Sequence, residues 1–172
     1  MVGEPQDGHD GPYAAPIAIG PATVQPGWID YNGHMNVAYY TLAVDNALDE
    51  FLENTLGLGE SFVARQRMGP YSLQSSVQYL GELREGDEFS FEILLLDYDQ
   101  KRMHLCITML DVAQGSIAAI VETLAINVDL NTRRSTPYHD WTLARLAALR
   151  AAHEAAPRPE TLGRPLGIRR AG

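Results

Sequence analysis

A chain of 172 residues with 45% apolar and 20% charged side chains can bury one substantial core and is too apolar to be disordered throughout. A formal net charge of -9 argues against indiscriminate binding to nucleic acid or anionic lipid, so any polyanionic ligand would need a local basic patch. One cysteine excludes an intrachain disulfide, and the five histidines lack the spacing of metal ligands, so no metal is expected.

In chain order, residues 1–16 are rich in Gly, Pro, Asp and Ala without hydrophobic periodicity and read as a disordered leader. A short strand is expected over residues 17–24. Residues 37–56 then turn helical. Tyr40, Val44, Leu48, Phe51 and Leu52 recur at turn spacing, Thr41, Asp45, Asp49 and Glu53 share the other face, and Gly57 and Gly59 close the run. Strands should follow. Residues 61–68 make a short one before Gly69 and Pro70, and Tyr71, Leu73, Val77 and Tyr79 alternate with Ser72, Gln74, Ser76 and Gln78. Phe89 to Leu95, Met103 to Met109 and the long run 117–130 complete the set, with short turns that imply an antiparallel meander. Asp140 is placed to cap a second helix reaching Ala152, and residues 156–172 read as a flexible tail after a domain spanning 17–155. Many strands after one long helix suit an α+β fold in which a sheet wraps that helix.

Chemistry concentrates in Asp30-Tyr31-Asn32-Gly33-His34-Met35-Asn36, directly ahead of the helix. A turn with an N-cap explains much of this: Gly33 can take angles other residues avoid, and Asn36 is a preferred cap. Neither role needs a carboxylate and an imidazole four positions apart.

This segment, continued by Val37-Ala38-Tyr39-Tyr40, resembles the entry motif of the 4-hydroxybenzoyl-CoA thioesterase branch of the hotdog-fold superfamily, and within it the betainyl-CoA thioesterases of carnitine breakdown. The resemblance extends over about residues 22–138. It implies an antiparallel sheet around one central helix and hydrolysis of an acyl-CoA thioester. Asp30 would be the nucleophile or general base, and the backbone amide of Val37 an oxyanion donor at the helix start, where amides lack partners. His34 would hold substrate or orient Asp30, or be a turn residue; Asn36 would be a carbonyl ligand, or a cap alone. The family binds CoA phosphates near the turn that here holds Lys101 and Arg102, and Arg65, Arg67, Arg133 and Arg134 are further cations without a motif. Relatives often carry an acid or a histidine in the strand that here offers Gln74, Ser75 and Ser76, which would line the substrate pocket from a neighbouring subunit. That departure leaves the acyl group open. Asp45 and Asp49 are reserve acids, and Glu122, in an apolar strand, reads as structural.

The resemblance further implies a homodimer at least, with tetramers common, and no cofactor, since CoA belongs to the substrate. No nucleic acid or membrane partner is expected, and Cys106 reads as a structural thiol of the cytoplasm. The competing readings are a non-catalytic acyl-CoA binder and, below it, a hotdog enoyl-CoA hydratase, whose Asp and His stand one residue farther apart.

Overall fold

The strand alternation is realised in a single antiparallel sheet. In the computed structural model, which describes residues 4–168, its strands are β1 (Ile17–Thr23), β2 (Met68–Tyr79), β3 (Glu88–Tyr98), β4 (Arg102–Asp111), β5 (Ile117–Asp129) and the short β6 (Arg134–Ser135). The spatial order is β1-β3-β4-β5-β2, with β6 paired to the end of β5. The meander expected from the short turns is β3-β4-β5. What the sequence order does not announce is that β2 crosses to the far side and pairs with β5, with no strand among the described residues on its other edge.

Register sorts the side chains into two faces, because cross-strand partners point the same way. Val77, Val121, Ile107, Ile93 and Ile17 form one inward row, and Tyr79, Ala119, Met109, Phe91 and Ile19 another. Helix α1 (Val37–Phe51) lies against them, burying Tyr40, Ala43, Val44, Ala47 and Phe51 in the same core. This is the hotdog arrangement, an α+β fold with the sheet curled around one helix. The outward face carries Leu94, Leu96, Cys106 and Ile120, covered by Ala156 and Leu162 of the tail.

Three local expectations need correction. The helical run does extend to Leu56, but α1 ends at Phe51 and continues as a wider π turn, Leu52–Leu56, that Gly57 closes at φ 70°. The strand expected over 61–68 is replaced by a short helix, α2 (Glu60–Gln66), which buries Phe62 and has the Ser61 amide bonded to the Glu53 carboxylate at 3.2 Å, and Met68, Gly69 and Pro70 open β2 instead of ending a strand. A local side-chain acceptor satisfies one of the orphan amides that a helix start exposes, a contact no strand pattern reveals. Asp140 is the first residue of helix α3 (Asp140–Ala152), not its cap; His139 holds that position without a side-chain bond.

The described residues of the flanking segments form no helix or strand, yet they are fastened. The nearly buried Arg145 of α3 donates from Nε to Asp10 Oδ1 at 2.7 Å and to the carbonyls of Asp7 and Leu56 at 2.7 and 2.8 Å. His153 accepts the Leu95 amide at Nδ1, 2.8 Å, and donates from Nε2 to the Ala14 carbonyl at 2.9 Å, so its ring is neutral and burial holds its pKa below the usual value. On the tail side, Gln78 Nε2 donates to Thr161 O at 3.0 Å. Residues 1–3 of the expected leader and 169–172 of the expected tail lie outside the described residues. No helix among the described residues is long and apolar enough to cross a membrane.

Candidate active site

The approach to α1 is built from short-range bonds. Pro26–Trp28 make one 3-10 turn, Ile29 bridges to Met35, and the chain between them closes as a tight loop: Asp30 N donates to His34 O and Gly33 N to Asp30 O, both at 3.0 Å. Gly33 sits at φ 82°, a conformation that only glycine enters cheaply. Asp30 Oδ1 accepts the Asn32 amide at 2.8 Å, while Oδ2 meets only Asn32 Nδ2 at 3.5 Å. One carboxylate oxygen is therefore spent on the turn, and the other is barely engaged. His34 Nδ1 lies 3.3 Å from the Met35 carbonyl.

Asn36 takes the cap: its Oδ1 accepts the Ala38 amide at 2.9 Å, a contact worth about 1 kcal/mol at such positions. Its backbone carbonyl accepts Tyr39 N at 2.9 Å. Among the described residues nothing accepts the amide of Val37, whose residue is 55% exposed. A fifteen-residue helix thus begins with one free donor, where the dipole favours negative charge.

Beside that amide opens a hollow of about 290 Å³ lined by His34, Met35, Val37, Tyr40, Tyr79, Leu80, Gly81 and Glu82. Tyr40 fixes its floor. The hydroxyl donates to Gly81 O at 3.1 Å and accepts Leu83 N at 3.2 Å, tying α1 to the segment after β2, and the ring meets Tyr79 edge to face at 5.4 Å. Burial raises its pKa. Asp30 does not line the hollow; it stands one hairpin rung away, paired through its backbone with His34. Of the residues singled out in the sequence, then, the fold gathers Asp30, His34, Asn36 and Val37.

It does not bring the others to them within one chain. Gln74 and Ser76 point outward and Ser75 inward, where its hydroxyl bonds Thr123 Oγ1 at 3.0 Å. All three, with Val77, border a separate cleft of about 690 Å³ shared with His104, Glu122, Leu124 and tail residues Gly163 to Leu166. Glu122, 14% exposed in its side chain, receives the Gly163 amide on Oε1 at 2.5 Å and has His104 Nε2 3.2 Å from Oε2. Lys101 and Arg102 lie in the turn before β4, where Arg102 Nε donates to Asp99 at 2.8 Å, holding that carboxyl below the usual range. Arg102 is level with Tyr71 across β5, whereas the hollow is at Tyr79. Eight strand residues at ~3.3 Å each separate these two ends of β2 by roughly 26 Å.

The remaining candidates are accounted for elsewhere. Asp45 and Asp49 are on the exposed face of α1, and the Asp49 pKa is raised, chiefly by burial and then by Asp45. Arg65 pairs with Asp7, while Arg67 and Arg133 hold left-handed turn conformations at φ 54° and 59°. The buried Cys106 thiol is pushed up to about 11 by burial, which makes it a poor nucleophile. Sequence reasoning missed Glu82 and His104 and took Tyr40 and Tyr79 only as core positions. A hydroxyl on the apolar face of a helix was the one available hint.

Known proteins identify the family and the fold. Residues 24–146 match the model of the thioesterase-like superfamily. The chain is 33% identical over 145 residues to the betainyl-CoA thioesterase of Pseudomonas aeruginosa, covering 84% of this chain and 91% of that one. It is 27% identical to the L-carnitine dehydrogenase/betainyl-CoA thioesterase of Rhizobium meliloti, covering 91% of this chain and 31% of that longer protein. Among solved structures, a hypothetical protein from Staphylococcus aureus in complex with CoA superimposes with a TM-score of 0.79 at 26% identity, over 92% of this chain and all of that one. A 1,4-dihydroxy-2-naphthoyl-CoA thioesterase from Synechocystis shares the fold at a TM-score of 0.65 and 11% identity, over 76% of this chain and 96% of its own. The chain belongs to the thioesterase-like superfamily, and with it to the hotdog-fold thioester hydrolases.

Proposed function

We propose that the chain hydrolyses a small acyl-CoA at the mouth of α1, to a free acid and CoA. The observation that carries this reading is the unpartnered Val37 amide, which borders a hollow one rung from a carboxylate with one oxygen to spare. The thioester oxygen accepts that amide, and negative charge developing on it is stabilised by a donor that needs no reorganisation. Asp30 Oδ2 takes a proton from water, the new C–O bond forms, the C–S bond breaks, and the proton passes to the CoA thiolate; direct attack by Asp30 through an anhydride is the other route. His34 positions the thioester from the wall of the hollow. These steps use no cofactor.

A homodimer completes the site in this reading. The open edge of β2 is twelve residues long and exposes Tyr71, Leu73 and Tyr79, and such an edge invites a second copy. Antiparallel pairing of two β2 strands brings the partner's Lys101 and Arg102 end toward this chain's Tyr79 end, supplying cations for CoA phosphates that one chain holds too far away. Cytoplasm is the proposed location, where CoA esters are at hand. The names of the relatives make betainyl-CoA the first substrate to test.

The test is a panel of acyl-CoAs with thiol release as readout. Thiol release supports the reading. Hydration of an enoyl-CoA without release, or binding without either reaction, would replace it with a hydratase or a carrier.

A further inference from the structure

Building on the thioesterase reading, we propose that Glu82, with the rings of Tyr40 and Tyr79, seats a positively charged acyl head of the quaternary ammonium type and so determines specificity. A quaternary ammonium has no N–H to donate. It is recognised instead by aromatic faces and by a carboxylate that supplies opposite charge without needing a hydrogen bond.

The hollow beside the Val37 amide has these parts and lacks the contrary ones. Glu82 is its single acid, and no lysine or arginine lines it. Glu82 takes no part in any ion pair among the described residues, so its charge is not already committed. Tyr40, only 3% exposed, spends its hydroxyl as both donor and acceptor on the backbone and offers the hollow just the border of its ring, so the more exposed Tyr79 supplies most of the aromatic surface. Tyr79 stands edge to face against it, at an interplanar angle of 85°, which makes an aromatic corner next to the acid. The field there is negative: the charges of Glu82 and Asp87 both add to the burial that raises the Tyr40 pKa. An anionic acyl chain would be repelled by this hollow. A neutral one would gain nothing from the carboxylate, whereas a cation is attracted by it.

Two substrates of nearly the same shape differ in this charge: betainyl-CoA, and tert-butylacetyl-CoA, in which carbon replaces the quaternary nitrogen; since the α-ammonium also activates its own thioester, the ratio of their rates is read against the same ratio in Glu82→Gln. Thiol release by the full chain should favour the cation in kcat/KM by about tenfold or more. Glu82→Gln should lower kcat/KM for betainyl-CoA by about tenfold and leave the neutral ester within about twofold, and Tyr79→Leu should fall between. Equal rates on both esters in the unmodified protein, or a Glu82→Gln loss shared by both, would overturn this inference while leaving the thioesterase reading intact. Release from neither ester nor any other acyl-CoA would overturn both.

Discussion

Two hollows flank β2, and they differ in what their polar groups are free to do. On the outward side Glu122 is used twice, by the Gly163 amide and by His104, and the tail roofs the cleft. On the inward side the Val37 amide has no partner and Asp30 Oδ2 has only a long contact. The acid of the larger cleft is already engaged; the helix start beside the smaller one keeps a donor, with an acceptor one rung away. Polar groups left unpaired at a helix start cost stability unless water or a ligand takes them, so it is reserve, rather than size, on which the proposed site rests.

The sharpest way to break this contrast is Asp30→Asn. The amide retains an oxygen for the Asn32 N–H, so the loop should persist and the melting temperature should hold, while turnover of acyl-CoA falls on the order of a thousandfold. Activity close to that of the unmodified protein would remove Asp30 from the chemistry. Val37→Pro addresses the other partner. Proline is tolerated at the first helical position, and Asn36 already has the extended backbone (φ -65°, ψ 143°) that a following proline requires. With the helix retained and the amide gone, kcat should fall on the order of a hundredfold; a normal kcat would place the oxyanion elsewhere.

The outward cleft should respond in the opposite way. Glu122→Ala should leave kcat within about twofold and instead speed hydrogen exchange at the Gly163 amide and proteolysis of the tail. A collapse in kcat with the tail still protected would transfer catalytic weight to that side.

The smallest effect concerns a third polar group that is fully used. His153 must be neutral to accept Leu95 N and donate to Ala14 O, and its folded pKa lies below its unfolded value. As pH falls, the unfolded chain takes up the proton first. The stabilisation is therefore complete above an unfolded pKa of about 6.5 and is lost as pH drops through that value toward the folded one. Melting curves between neutral and mildly acidic pH should show this loss, and a His153→Gln variant should show less of it than the unmodified protein.

Much of the inward site was legible in the order of residues because it is made of short-range contacts. Gly33 at its positive φ, Asn36 at the cap and the apolar period of α1 each depend on neighbours within a few positions, and the chain from Asp30 to Tyr40 carries them all. The strands β3, β4 and β5 were legible for the same reason, since alternation and tight turns are local. The helix at Glu60–Gln66 was not, because Glu53 supports its first turn at the Ser61 amide from eight positions back.

What only the tertiary structure decided is which distant residues share a hollow. That β2 crosses to pair with β5 puts Tyr79 and Glu82 at the mouth of α1, sends Gln74 and Ser76 to the other face, and holds Lys101 and Arg102 at the far end. Register along a strand is set by the summed fit of a whole buried face, and a shift of one residue would exchange inward for outward at every position. No single residue encodes that choice, so the sequence alone could name the helix start and its acid but not the walls around them.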